Sequence, residues 1–323
     1  MNRRHVLQIA GYASRTSVRG GIGLVFLLLS LTLGLTVAHV MLQPVERAAR
    51  RAVNPALYQT EEGRRNAELR VIEDLTKPAK GVVSWMLSTK TTSDEPEPRR
   101  GRRPSGDNDD ADVEADRWAE FLLEERPALL SGIFLILLFS WPLVVSFGAF
   151  DLYASDIASR QLRYQLLRAD RSSIYFGRLL GLCTTLVVVL TALGLTVTLY
   201  LGLKLGAYPW SEMLAWTAQG TLMLIVLSLP YVALCGWISA AAGGSFTSLT
   251  LSSVVIGGVP LVASLGSLSF DAARYVNWLL PWGFQSRLLH HDPVQIGLAV
   301  FGCLLQTAVF VWLGHRTFLR RDL

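Results

Sequence analysis

Cysteine is scarce in this chain of 323 residues: there are three, Cys183, Cys235 and Cys303, and each falls inside an apolar run. That placement excludes a disulfide framework and a zinc site, because neither a translocated pair nor a ligand-like spacing exists. The three read as small apolar packing residues. Charge is short as well, with 17% charged residues against 51% hydrophobic and a mean hydropathy of +0.38, too apolar for a soluble enzyme of this length. Catalytic signatures are missing: no G-x-x-x-x-G-K-[ST] loop cradles a phosphate, and H-E-x-x-H, G-x-S-x-G and C-x-x-C do not occur. The chain is therefore read as no enzyme, with no catalytic residue, no cofactor and no metal site of its own. Ionisable groups are also missing from the middle of the apolar runs, which offer neutral polar residues such as Gln219 and Gln306. A carrier coupled to protons or ions needs such groups to bind its driving ion, so energy for any work would have to come from elsewhere.

What the sequence has in quantity is long apolar stretches. Six of them, at 21–42, 128–150, 179–203, 213–241, 249–265 and 294–313, are long enough to cross a hydrocarbon core about 30 Å thick. The fourth is long for its task, and Pro230 with Gly220 and Gly236 around it predicts a tilt or kink; Pro142 and Pro260 are candidates for the same elsewhere. Gly194, Gly243, Gly244, Gly257 and Gly258 read as sites of close helix contact. The expected fold class is an all-α integral membrane protein with six transmembrane helices, both termini inside, and a long extracytoplasmic segment between the first two.

Orientation follows from the basic residues of the short connections. Arg3, Arg4, Arg15 and Arg19 precede the first span, Arg160, Arg163, Arg168, Arg171 and Arg178 separate the second from the third, and Arg316, Arg320 and Arg321 follow the last. The alternate short loops hold only Lys204, Arg274 and Arg287. The pI near 9.3 is on this reading a topology signal, and nucleic-acid binding is the weaker one, since the arginines flank spans and line no single soluble face. The expected location is the inner (plasma) membrane, and the excess of Arg over Lys suits a bacterial source. Asn2-Arg3-Arg4-His5-Val6-Leu7 looks like a twin-arginine export signal, but the apolar run starts late, is long for a signal core, and has no A-x-A site behind it. An uncleaved first span is expected. Residues 1–20 place Val6, Ile9, Ala10 and Ala13 on one helical face and Arg3, Arg4, Gln8 and Arg15 beside it, which suits a helix lying on the inner membrane surface.

Residues 43–127 form the one sizeable polar segment. Its first half, 45–90, reads as helix interrupted by Pro55, Gly63 and Pro78, with Val82, Val83, Trp85, Met86 and Leu87 suited to the outer interface. The stretch 91–116 holds Pro96, Pro98, a basic patch at 99–103 and an acidic run at 107–116, a composition that buries too little apolar surface to offset chain entropy. It reads as a disordered linker, dispensable for insertion. Asp107, Asp109, Asp110 and Asp112 lack the glycine and the twelfth-position glutamate of a calcium loop. Trp118, Phe121, Leu122 and Leu123 form an apolar face leading into the second span. Between the fifth and sixth spans, at 266–293, His290, His291 and Asp292 read as an ordinary polar loop, since three adjacent residues cannot all face one ion.

The segment 151–178 is the most informative. Ile157, Tyr164 and Leu167, with Leu162 and Leu166 alongside, form an apolar face while Arg160, Arg163 and Arg168 stay in water; the pattern predicts one helix over 156–168. Its Leu162-Arg163-Tyr164-Gln165-Leu166-Leu167-Arg168, followed by Arg171-Ser172-Ser173-Ile174 and Gly177-Arg178, resembles the loop between the second and third spans of the type-two class of ABC exporter permeases. The C-terminal Phe318-Leu319-Arg320-Arg321-Asp322-Leu323 is similar to a common ending of that family. The likeness covers the layout of nearly the whole chain but only about thirty residues in motif, and Arg160 and Gln161 stand where the family often has Glu and Gly-Thr. The resemblance implies a permease subunit that forms half of a homo- or heterodimer and docks a separate ABC ATPase through Asp156, Ile157, Arg160, Arg163, Tyr164, Leu167 and Arg168. ATP and Mg would then be bound by that ATPase and not by this chain, and an extracytoplasmic protein could engage 43–127. Two other readings stand beside it: a membrane sensor or envelope scaffold without transport, and a secondary carrier. Trp141, Trp237 and Trp282 would suit an amphipathic cargo, though tryptophan is ordinary at membrane interfaces.

The charge asymmetry makes a direct prediction: a cysteine introduced at Ser105 reacts with an impermeant label from outside, and one at Ser172 reacts only from inside. Labelling of both from the same side would rule out six spans with this orientation.

Overall fold

The computed structural model describes residues 3–19, 22–52, 63, 65–74, 76, 80, 117–205, 207–266 and 281–321. Helices are the only regular elements among the described residues, as expected where hydrocarbon offers no partner for an unpaired backbone N–H or C=O. The linker expected at 91–116 and the interfacial stretch at 82–87 lie outside the described residues. Two long helices come first, α1 (Arg3–Arg19) and α2 (Ile22–Ala52). After a π-helical turn at Phe121–Glu125 come α3 (Ala128–Ala149), two short helices α4 (Ala154–Ala158) and α5 (Gln161–Leu166), then α6 (Arg171–Lys204) and α7 (Trp210–Ala241). The chain continues through α8 (Ser245–Ser253), α9 (Val259–Gly266), α10 (Trp282–Gln285) and α11 (Pro293–Arg320). Six stretches, Gly23–Ala48, Ala128–Ala158, Arg171–Lys204, Trp210–Ala241, Ser245–Val262 and Pro293–Arg320, are long and apolar enough to cross a membrane. They fall on the six runs read from the sequence, in the same order, and the chain is a multi-pass membrane protein.

Helix ends overrun the apolar runs where neighbours give them something to pack on. The α6 helix starts at Arg171, ahead of the boundary expected at 179, because Ile174, Tyr175 and Gly177 are buried. Tyr175 donates its hydroxyl to the Val311 carbonyl at 3.2 Å. A Cβ on Gly177 would come within 2.6 Å of the Ile9 side chain. The α2 helix likewise runs through Pro44, with Leu42 and Val45 buried on either side of it. Between α8 and α9 the chain makes a π-helical turn over Val254–Gly258, in which the Val259 N–H returns to the Val254 carbonyl. Pro260, which has no N–H to give, follows directly, so the widened turn sits where the ordinary ladder would be broken.

The α7 helix is central: 72% of its apolar window is buried, against 67% for the second span, 22% for the first and last, and 17% for the stretch through α8. Lipid is as apolar as leucine, so helix association here rests on shape and hydrogen bonds and not on a drive out of water. Both are visible along α7. Fully buried Trp141 donates its indole N–H to Ser228 at 2.7 Å, and its ring meets Phe26 at 6.1 Å, which ties α2, α3 and α7 together. Thr198 and Thr217 are hydrogen-bonded between α6 and α7. Gly220 lies so close to α3 that a Cβ there would stand 2.8 Å from the Phe134 ring; its role is contact as much as kinking at Pro230. Gly194 faces Thr221 closely, as expected, whereas Gly243 and Gly244 meet nothing within 4 Å, and Gly257 and Gly258 make ordinary contacts at 3.7 Å. Cys235 and Cys303 are fully buried.

The α1 helix lies against α6. Its stripe of Val6, Ile9, Ala10 and Ala13 faces that helix closely: a Cβ on Gly181 would meet the Ala10 carbonyl and the Ala13 methyl at 2.9 Å. Two glycines one turn apart on α6, Gly177 and Gly181, make the groove that receives it.

Replacing Gly220 by leucine forces α3 and α7 apart and is expected to cost about 1–3 kcal/mol of stability, read as a lower unfolding temperature in detergent. An unchanged melting curve would mean that the two helices do not approach at this level.

Candidate functional site

The connection from α3 to α6 is short, and nearly every turn of it is tied down. At its root the Phe150 carbonyl accepts the Ser248 hydroxyl at 2.6 Å. Asp151 accepts from the Ser155 N–H at 2.9 Å and from the Ser245 hydroxyl at 2.6 Å, so its carboxylate starts α4 and holds α8 at once. The backbone N–H groups of Tyr153 and Ala154 both reach Ser239 of α7, at 2.9 and 3.0 Å. The Tyr153 side chain is fully buried, donates to the Tyr175 carbonyl at 2.8 Å, stacks on the Tyr175 ring at 5.2 Å and meets Phe318 at 5.2 Å. Four residues, Phe150, Asp151, Tyr153 and Ala154, are thus anchored on α6, α7, α8 and α11.

Arg178, about two turns into α6, sets the shape of the rest. Its guanidinium forms an ion pair with Asp156 of α4, donates to the Leu152 carbonyl at 3.0 Å and donates to the Gln165 side chain of α5 at 3.0 Å. A planar fork with five donors can hold three acceptors on one side in this way, where an ammonium could not. The two carboxylate and guanidinium side chains are only 17% and 15% exposed.

The single helix predicted over 156–168 is broken. The α4 helix ends at Ala158, Arg160 adopts a left-handed conformation with φ of 58°, and α5 begins at Gln161. The break turns the two pieces so that Asp156 reaches Arg178 and Leu162 is buried; the amphipathic pattern is satisfied by two short faces instead of one long one. Consequently the seven residues singled out from the sequence do not share a surface. Asp156 and the half-buried Ile157 belong to the anchored side. Arg160, Arg163, Tyr164, Leu167 and Arg168 are exposed, with Tyr164 at 75% and Leu167 at 83%. Tyr164 and Leu167, three apart, lie on one helical face, a bare apolar pair among three arginines.

The residues that hold this knob in place went unread in the sequence. Arg178 registered as a basic residue beside a span and as part of the Gly177-Arg178 motif, with no bracing role assigned to it, and Asp151, Ser239, Ser245 and Ser248 are too common in type and too distant in sequence to signal a cluster. The C-terminal helix joins the same base. Arg171 donates to the Leu319 and Arg321 carbonyls at 2.9 and 3.0 Å, and His315 bonds Ser172 at 3.0 Å, so the end of α11 is fastened to the start of α6. A cation at the last carbonyls of a helix also meets the negative end of its dipole.

At the opposite end of the bundle, His290, His291 and Asp292 do structural work. The Asp292 N–H donates to His290 Nδ1 at 3.0 Å, and its carboxylate caps α11 by accepting from the Val294 N–H at 2.9 Å. Trp118 donates to the Leu289 carbonyl at 2.7 Å, and the Arg126 guanidinium stands over the Phe121 and Trp216 rings at 5.0 and 5.1 Å. The apolar face read at Trp118, Leu122 and Leu123 is buried here.

Arg178→Met removes the fork and leaves Asp156 without its cation. The loss of a largely buried charge-assisted contact is expected to cost about 2 kcal/mol, which raises trypsin cleavage at Arg160, Arg163 and Arg168 about thirtyfold when opening is fast relative to cutting. Cleavage at the wild-type rate would show that Arg178 does not brace the loop. No protein-family model matches this chain, and no curated protein matches it.

Proposed function

We propose that this chain is the transmembrane permease subunit of an ABC exporter, set in the bacterial plasma membrane with both termini and the 150–170 loop in the cytoplasm. A separate ABC ATPase, which binds the ATP and Mg, docks on that loop and drives it. One observation carries the reading: Tyr164 and Leu167 are left bare on a loop whose root is anchored in four helices.

The physical argument has two parts. Large apolar side chains exposed beside arginines, outside the spans, fit a protein groove with acidic edges, where the apolar pair supplies buried area and the arginines supply orientation. Rigidity supplies the second part. A push on α5 passes through Gln165 to Arg178 and so into α6, and through the root of the loop into α7 and α8. A loose loop would absorb such a push; a loop with two discrete, packed attachments passes it on. Low burial of the first, fifth and sixth spans leaves area for a second permease subunit as well as for lipid. The long polar segment at 43–127 lies on the far side in this orientation, where an extracytoplasmic partner would meet it.

The test is the double substitution Tyr164→Asp and Leu167→Asp. Since both side chains are exposed, insertion and melting are expected to be unchanged, while co-purification with the ATPase encoded alongside falls by about thirtyfold or more, as when an aromatic anchor is removed from an interface. If the double variant retains its ATPase and full coupled activity, the loop is not the docking site.

A further inference from the structure

A cavity of about 630 Å³ opens beside the loop, between α1, the end of α3, the loop itself and the first turns of α6. Its size is that of a ligand site, not of a packing defect. Its lining includes the apolar Ile9 and Ala13 of α1 with Leu152, Ile174 and Leu182. Its charged and amide-bearing lining includes Asp151, Asp156, Gln165, Arg168 and Arg178.

Most of those polar groups are already engaged. Asp156 pairs with Arg178, Gln165 accepts from Arg178, and Asp151 is held by Ser155 and Ser245. Arg168 is different: it is exposed, and its guanidinium has no hydrogen bond or ion pair among the described residues. The neighbouring α1 adds the exposed Arg15, and its sequence contains no acidic residue. The cavity therefore combines apolar side chains with the unpaired Arg168 guanidinium, beside a helix that has no acidic residue, at the ends of two membrane spans.

A soluble anion would gain nothing from the apolar side chains, and a neutral apolar molecule nothing from the guanidinium. A lipid that carries a phosphate uses both. We propose that this cavity holds an anionic glycerophospholipid of the adjoining leaflet, with an acyl chain along Ile9, Ala13 and Leu182 and the headgroup phosphate on Arg168. The lipid fills the space between α1 and the loop, so its presence sets how firmly the loop is held. The inference rests on the multi-pass membrane fold and is independent of the ATPase reading.

Native mass spectrometry of the full-length chain in a non-ionic detergent tests it, with phosphatidylglycerol, phosphatidylcholine of matched chains, and glycerol 3-phosphate as probes. The wild type is expected to retain phosphatidylglycerol in preference to phosphatidylcholine. Arg168→Gln lowers phosphatidylglycerol retention about fivefold and leaves phosphatidylcholine unchanged, Arg168→Lys restores most of the loss, and Leu182→Trp lowers retention of both lipids. Where Leu182→Trp does not purify as a monodisperse protein, Thr185→Phe fills the same cavity and is read in the same way. Equal retention of the two lipids by the wild type, or a preference that survives both the charge and the filling substitutions, would overturn the proposal. Displacement of the lipid by glycerol 3-phosphate at equal concentration would also overturn it, since the cavity would then be a site for a free anion.

Discussion

Hydrocarbon cannot hydrogen-bond, and most of what is distinctive in this molecule follows from that constraint. Every span is a helix because only a helix pairs its own backbone. Several hydroxyls within the spans follow the same rule: Ser30, Thr184, Thr191, Thr196 and Thr307 each return to the carbonyl four residues earlier, at 2.7 to 2.9 Å. Polar groups that serve packing instead are paired across helices, as with Trp141 and Ser228 or Thr198 and Thr217. Such bonds and the close approaches at Gly34, Gly194 and Gly220 stand in for the hydrophobic drive that lipid removes.

Where the chain leaves the spans at the α3–α6 connection, the same accounting produces a rigid device. Turns near the hydrocarbon boundary expose N–H and C=O groups that a helix would have paired. Here they are taken up by Ser239, Ser248, Asp151 and the Arg178 fork. Ser239, Ser248 and Arg178 come from three different helices, so satisfying the loop also fixes the mutual position of those helices. The end of α11 is bound into the same base through Arg171 and through Arg321, which donates to the Ala240 carbonyl. A loop of this construction moves with its spans or not at all, which is the property that mechanical coupling to a partner needs.

Much of the architecture was legible in advance. Six apolar runs became six spans, since the length and the absence of charge in each run are properties of local sequence alone. The pairing of Tyr164 with Leu167 was legible for the same reason, being a helical spacing within one turn. The rest of the candidate site was not. The left-handed Arg160 has none of the usual glycine or asparagine signal, and it is the tertiary pull of Asp156 toward Arg178 and the burial of Leu162 that accompany it. The contact of α1 with α6 was not legible for a related reason: an apolar stripe specifies burial but not the partner, and Gly177 and Gly181, which supply the groove, lie more than a hundred and fifty residues away in the chain.

The sequence by itself determined that the chain is helical, that six of its stretches are long and apolar enough to cross a membrane, and which residues of the α3–α6 connection are apolar. These are consequences of composition over windows no longer than a span, and they need no knowledge of neighbours. Only the tertiary structure decided which helix lies at the centre, which glycines are contacts, and which of seven suspected docking residues face outward. Those outcomes depend on contacts between residues distant in sequence, such as Arg178 with Asp156, Ser239 with Tyr153, and Gly181 with Ala13. A contact of that kind is fixed by the packing of whole helices, and no local pattern carries it.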